Sequence, residues 1–232
     1  IGVRPLEGLV PADEFNYLVE STKERGGFIS YKQNPNGTQS PYELNITYYD
    51  AFQERGKEET DLQLKRYMCS QTIMLSLKGV PGIYIHNLTA THNYVEGVIE
   101  TGHRREINRK QWPYEELREL LNDPDSTTYK VLSRYKALLE KRRQHPAFAP
   151  HAGQEVFDLG SNLFAFLRTS SDGSERILVI SNITGRTIIA EQGLTHMLEK
   201  KQEGYYDIIS ESNVAQNGSL KLDPFQTVWL LV

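Results

Sequence analysis

The sequence predicts a mixed chain. The first part reads as the last strand and wall helices of a β/α barrel, and a small antiparallel β-sandwich follows. Three observations carry this. A long helical pattern, Asp61 to Leu77, is apolar on two sides: Leu64, Met68, Thr72 and Leu75 form one stripe, and Leu62, Cys69, Ile73 and Leu77 form another. A helix of that kind is buried on two sides, as between a barrel wall and a further layer. A Gly/Pro turn then launches a short apolar run, Ile83 to His86, followed by a long polar loop. In β/α barrels the loops after the strands hold the binding chemistry. Beyond Ala152, short apolar segments alternate with turns at regular spacing, the mark of a β-sandwich.

Taken in order, Pro11 opens a helix with Asp13 and Glu14 in its first turn, where acids complement the helix dipole. Phe15, Leu18, Val19 and Thr22 share a face, and Gly26-Gly27 stops it. Residues 34–41 form a turn-rich loop with little to bury, and Tyr42 to Ala51 reads as loop with a short extended piece. After the long helix and the expected strand, the polar loop runs from Asn87 to Trp112. Helices are expected over Tyr114–Leu121 and from about Asp125 to Arg143, the latter with Tyr129, Leu132, Tyr135 and Leu139 on one face. Strands are expected at Glu155–Leu159, Leu163–Arg168, Ile177–Ile180, Thr187–Ala190, Tyr205–Ser210, Ser219–Leu222 and Thr227–Val232, with hairpin turns at Asp172-Gly173-Ser174 and Asn217-Gly218. The domains read as 1–150, an incomplete barrel, and 151–232, a β module able to fold alone. One convincing strand against the eight of a closed barrel means that the first part needs a partner segment.

Composition narrows the function classes. Over 232 residues the net charge is −4, which gives no case for a nucleic-acid or membrane surface. The single cysteine, Cys69, reads as a small core residue. No signal peptide or spanning segment is visible, and a cytoplasmic location is expected. Sequons occur at Asn36, Asn45, Asn87, Asn182 and Asn217, and chance accounts for them more simply than secretion. His86, His92 and His103 match no metal-ligand spacing, so no metal is expected.

The chemistry-bearing stretch is the long loop, with His92, Asn93, Glu96, Glu100, His103, Arg104, Arg105, Glu106, Asn108 and Arg109. Its arginine forks suit a phosphate, or a sugar hydroxyl shared with a carboxylate. Composition alone slightly favours a solvated basic turn paired with local glutamates; the place after a barrel strand shifts the balance towards binding. Tyr42-Glu43 offers a second candidate carboxylate, with plain surface acid as the blander reading.

Pro41-Tyr42-Glu43-Leu44-Asn45-Ile46-Thr47-Tyr48-Tyr49, then Gly79-Val80-Pro81-Gly82-Ile83-Tyr84, then Arg105-Glu106-Ile107-Asn108-Arg109 resemble, in order and spacing, the sucrose phosphorylase group of the amylase-type glycoside hydrolase family 13. The last segment is the specific one; the group carries Arg-Asp-Ile-Asn-Arg there. The resemblance implies a (β/α)8 barrel with a C-terminal β domain. It also implies retaining transfer of glucose from an α-glucoside to phosphate, giving α-glucose 1-phosphate by double displacement on two carboxylates. No cofactor is implied; phosphate is the co-substrate. Ile1-Gly2 resembles the tail of the family's His-Asp-Gly-Ile-Gly motif. The two displacing carboxylates, and a third that the family uses to stabilise the transition state, are then expected upstream of Ile1, and this chain alone is expected to be inactive.

The resemblance places Arg105 at the glucose ring and Tyr42 and Glu43 on a mobile acceptor loop. It adds Asn108 to the substrate-binding set and turns His103 and Arg104 towards an anionic acceptor. Sucrose phosphorylases proper carry Gln where this chain has Glu43. Relatives acting on glucosylglycerate or sucrose 6′-phosphate resemble the stretch from Asn34 to Glu43 better. The expected partners are a small sugar, phosphate and the missing N-terminal half of the barrel, and a homodimer stays open. Two other readings stand beside this one. The first is an amylase-family hydrolase using water. The second is a non-catalytic carbohydrate-binding or interaction protein using surface aromatics such as Tyr205-Tyr206.

Overall fold

The computed structural model describes residues 1–54, 60–190, 204–214 and 219–232. The chain divides into two compact units, one of residues 1–60 with 83–132, the other of 61–82 with 133–232. Among the described residues no helix is long and apolar enough to cross a membrane.

In the first unit, helix α1 (Ala12–Glu24) buries Val19, Ser21 and Thr22. It ends where Gly26 takes a φ of 74°, a left-handed conformation open to glycine. Gly27 sits so close beneath that a Cβ would meet the Thr22 methyl at 2.7 Å and the Asn45 carbonyl at 2.9 Å. Strands β1 (Phe28–Gln33) and β2 (Gln39–Asn45) pair antiparallel. This hairpin replaces the loop expected over 34–41. Its turn is held by Asn34 and Thr38 backbone bonds and by the Asn36 side chain, with Gly37 at φ 80°. Residues Ile1 to Val3 run along the other edge of β2, with a bridge between Gly2 and Glu43. Val3, Val19, Ile29 and Leu44, with Phe15 against them, form the small core.

Helix α2 (Asp61–Ser76) appears where expected, in the second unit. The strand expected at Ile83–His86 does not. Residues 80–84 carry no regular structure, and Ile85–Leu88 form a short helix, α3. A parallel barrel strand takes its hydrogen bonds from strands on either side, and among the described residues none flanks this segment. Val80 is 81% exposed and Ile85 52%. The apolar run is therefore genuine, and what it lacks is a ladder to join. Helix α4 (Val95–Thr101) follows, closed by Gly102 at φ 70°. Helices α5 (Tyr114–Asn122) and α6 (Thr127–Gln144) match expectation to within two residues. The buried face of α6 is Thr128, Val131, Tyr135 and Leu138, rather than the stripe through Tyr129 and Leu139.

The β module holds β3 (Gly153–Phe157), β4 (Leu163–Thr169), β5 (Arg176–Asn182), β6 (Ile188–Ala190), β7 (Tyr205–Asp207), β8 (Ser212–Val214), β9 (Leu220–Leu222) and β10 (Thr227–Leu231). They form a six-stranded sheet in the order β3-β4-β5-β10-β7-β8 and a two-stranded sheet β6-β9, with every pairing antiparallel. Strand β8 went unpredicted; the turn at Asn217-Gly218 lies outside the described residues.

Side-chain alternation separates the two faces of the large sheet. Ala165, Leu167, Leu178, Ile180, Val228 and Leu230 share a core with Ala190, Leu220 and Leu222 of the small sheet. On the opposite face Trp229 donates to Ser76 Oγ of α2 (2.7 Å) and stacks near Phe148. Arg168, fully buried, donates to the carbonyls of Ser76 (2.7 Å), Ala149 (2.9 Å) and Gly153 (3.0 Å). Burial, then the nearby Arg142 charge, lowers its pKa to about 10. Both faces of β4, β5 and β10 are thus covered, which is why α2 groups with the β module although it lies far before residue 151. Asn45 and Asn182 are buried and hydrogen-bonded through their side chains, so these two sequons are structural amides in this fold. Asn217 lies outside the described residues.

Candidate functional site

The candidate site is built on the first unit from β1, β2 and the turn after α4. Gly102 ends α4 and turns the chain into a 3-10 turn, Arg104–Asn108. Ile107 anchors the turn: its side chain is fully buried and its carbonyl accepts from Tyr94 N at 2.9 Å. With Ile107 inward, the polar residues around it face outward. Arg104 donates to the Ile29 carbonyl of β1. Arg105 Nε donates to Glu43 Oε2 of β2 at 2.9 Å. Arg109 pairs with Glu106 at 3.4 Å.

Glu43 reaches Arg105 because the hairpin carries a bulge. Tyr31 pairs with Pro41 and Ser30 with Glu43, so Tyr42 is the extra residue. A bulge re-aims side chains locally. The Glu43 hydrogen bond, with its charge next and Tyr42 a lesser contributor, raises the Arg105 pKa. Arg105 is 54% exposed in its side chain and Glu43 19%. The guanidinium side of the pair is open to water and so weakly held, and a ligand oxyanion or hydroxyl can compete with Glu43 for Arg105.

Ser30, Gly102, His103, Arg104, Arg105, Glu106 and Arg109 surround an open depression of about 510 Å³. The structure therefore brings His103, Arg104 and Arg105 to one surface, with Glu43 joined through Arg105 and Tyr42 beside it. Asn108 stands apart from that lining: its carbonyl accepts from Tyr84 Oη at 3.0 Å. Glu106 and Arg109, both named in the long loop, also line the depression, as does Ser30, which became visible only with the hairpin. The arrangement is cationic, shallow and rich in forked donors, suited to orienting a polyhydroxylated or anionic small molecule. Its lining carries one carboxylate, Glu106, paired with Arg109.

A second constellation was missed from sequence. Asp50, 6% exposed, accepts from Asn93 N at 2.7 Å and pairs with His92 Nδ1 at 2.6 Å. Asn93 in turn accepts from Thr47 N and donates to the Arg25 carbonyl. The signal was Tyr49-Asp50 against His92-Asn93, forty-two residues apart, which no local spacing rule connects. His86 is buried, with Nε2 at 3.0 Å from the Lys110 carbonyl; burial lowers its pKa.

No protein-family model matches the chain. The chain aligns with a crystal structure of sucrose 6F-phosphate phosphorylase from Thermoanaerobacter thermosaccharolyticum at TM-score 0.63 and 23% identity, over 79% of this chain and 35% of that one. It aligns with the trehalulose synthase MutB from Pseudomonas mesoacidophila MX-45 at TM-score 0.51 and 18% identity, over 72% and 38%. By sequence the relatives narrow. The chain is 41% identical to glucosylglycerate phosphorylase of Spirochaeta thermophila over 79% of its length and 31% of that protein. It is 32% identical to the glucosylglycerate phosphorylase of Escherichia coli over 99% of its length and 39% of that protein. It is thus homologous to glucosylglycerate and sucrose phosphorylases over part of their length. The chain spans about a third of the length of the curated relatives it matches.

Proposed function

We propose that this chain supplies the acceptor side of a retaining disaccharide phosphorylase, which transfers glucose from an α-glucoside to phosphate and releases α-glucose 1-phosphate. The observation that carries the reading is the Arg105–Glu43 pair on the bulged hairpin, set in a depression rimmed by His103, Arg104 and Arg109. Arg105 positions the glucose ring, with Glu43 and Tyr42 beside the acceptor. His103 and Arg104 attract an anionic acceptor, and the resemblance to glucosylglycerate phosphorylases makes a glycerate carboxylate the first choice. No cofactor is invoked, and phosphate enters as co-substrate. A cytoplasmic setting fits a phosphate-consuming enzyme.

Retention needs two carboxylates about 5 Å apart across the scissile bond. The lining of the depression holds one carboxylate, Glu106, so we expect this chain alone to have no phosphorylase activity. The reaction requires the remaining barrel strands, against which the open segment 79–84 would pair. The test assays the isolated chain and the intact enzyme with glucosylglycerate, with and without phosphate. Phosphate-dependent glucose 1-phosphate from the intact enzyme only is expected. Free glucose independent of phosphate would give the hydrolase reading instead, and glucose 1-phosphate from the isolated chain would overturn the assignment of the carboxylates elsewhere.

A further inference from the structure

The second unit contains a groove that the proposed reaction does not use. Helix α2 presents Lys65, Met68, Cys69 and Thr72, and helix α6 presents Arg134, Ala137, Leu138 and Lys141. Each set is spaced i, i+3, i+4, i+7, so each is one helix face. The loop between β9 and β10, with Ile209, closes the remaining side. The space between them measures about 430 Å³, within the range of roughly 300–1,000 Å³ that small-molecule sites occupy. Its floor is apolar and its rim is mostly cationic.

The loop side is held in a costly conformation. Phe225 has φ 55°, in the left-handed region that bulky residues avoid. It stays there because its neighbours fix the loop. Phe225 N donates to the Thr184 carbonyl at 3.1 Å, and the buried Asn182 amide donates to the Asp223 carbonyl at 2.9 Å. Asp223 N donates to Gln226 Oε1 at 2.8 Å. The Phe225 ring is thereby kept at the groove wall, with Arg66 over it at 5.8 Å.

The cations on the rim are not equivalent. Lys141 is committed to the Ile208 carbonyl and Glu211. Lys65 and Arg134 have no hydrogen-bond or ion-pair partner among the described residues. They sit at matching positions on the two helices, at the start of each lining face. Asp223, half spent on Lys221 at 4.0 Å, is the one acid of the lining. An occupant that satisfies both the floor and the rim has an apolar body and one anionic head.

We propose that this groove binds a small amphipathic carboxylate, its apolar body against Met68, Leu138 and Phe225 and its head between Lys65 and Arg134. The site shares no residue with the Arg105 depression, so the two stand or fall separately.

Methionine methyl resonances report on it directly, because Met68 lines the groove and Met74, the other methionine among the described residues, does not. The full chain is labelled at the methionine methyls, Met68 is assigned with Met68→Leu, and octanoate is titrated. Octanol serves as the uncharged control. A saturable shift confined to Met68 is expected, with octanol binding at least about tenfold more weakly, the effect of about 1.4 kcal/mol of head-group interaction. Lys65→Glu with Arg134→Glu, both exposed positions, should weaken octanoate by a similar factor while the thermal transition stays in place. Ala137→Trp, which fills the groove from an exposed position, should abolish the shift. No saturable Met68 shift, or equal binding of octanol and octanoate by the native chain, would overturn the proposal. So would a Met68 shift that follows protein concentration without ligand, since a second copy would then be the occupant.

Discussion

Arg105 is the residue on which the candidate site turns. Its place on a short turn pinned by buried Ile107 leaves the guanidinium free to point outward, and the bulge at Tyr42 brings Glu43 to meet it. In the intact enzyme Glu43→Gln should keep the depression but remove the charge from Arg105. Binding of an anionic acceptor should then tighten, and the ratio of KM values for glucosylglycerate and an uncharged glucoside should shift towards the anion. A ratio that does not move would take Glu43 out of the acceptor site. The sequence grouped Arg105, His103 and Arg104 because they are neighbours along the chain, and all three line the depression. It could not show that Glu43 reaches across to them, since that depends on hairpin register. The Asp50–His92 pair was hidden for the same reason. Elsewhere, Asp172 illustrates a local effect that sequence does suggest. Hydrogen bonds from Ser170 first, then Ser174, hold its pKa down to about 2 in the β4–β5 turn. A carboxylate with a depressed folded-state pKa contributes stability above its unfolded pKa of about 4, and this is lost as pH falls through about 2. Titration of the Asp172 carboxyl by NMR should show a midpoint near that lower value; a midpoint near 4 would mean that the serine bonds do not persist in solution.

At the scale of elements, the long helices and the expected strands of the β module were legible, while the first unit's hairpin and its short helices α3 and α4 were not. The two long helices declare themselves by period and by stop signals, and their bounds differ little from expectation. The hairpin β1–β2 was passed over because Phe28 to Gln33 alternates weakly and β2 carries a proline, Pro41. The Asn36-Gly37 pair was the available signal. The run after Gly79 was read as a strand because it is apolar; a strand is defined by its partners, and none is present beside it among the described residues. Gly27 is the element-scale test. A Cβ there meets the Thr22 and Asn45 carbonyls at 2.9 Å, both backbone atoms that cannot swing aside. Gly27→Ala should cost about 1–3 kcal/mol, the usual scale of overpacking, and loosen α1 against the hairpin. Chemical denaturation measures it; a loss under about 0.5 kcal/mol would show that this approach is not tight.

For the whole molecule, the expected boundary near Pro150 marks where strands begin, whereas compactness groups 61–82 with the β module. The large sheet is covered on its second face by α2, through Trp229–Ser76 and Arg168–Ser76, so the module's stability depends on a helix from well before it. Asn182→Ala should show the inner coherence of that unit. It removes three donated bonds, to Arg186, Leu222 and Asp223, and the acceptor of Thr184 N. A loss of about 2–4 kcal/mol is expected, since a fully buried amide loses its hydrogen bonds together; a smaller thermal shift would mean that water replaces the amide. The proposed function rests on the other unit, whose depression is rich in arginine and is lined by one carboxylate, Glu106. The measurement that bears most directly on this is the rate of glucose 1-phosphate formation by the intact enzyme carrying Arg105→Ala, with glucosylglycerate and phosphate. Loss of a charged hydrogen-bond donor at the sugar should lower kcat/KM by about tenfold to a hundredfold, with the folded state unchanged by circular dichroism. An unchanged kcat/KM would contradict the account and remove Arg105 from the site.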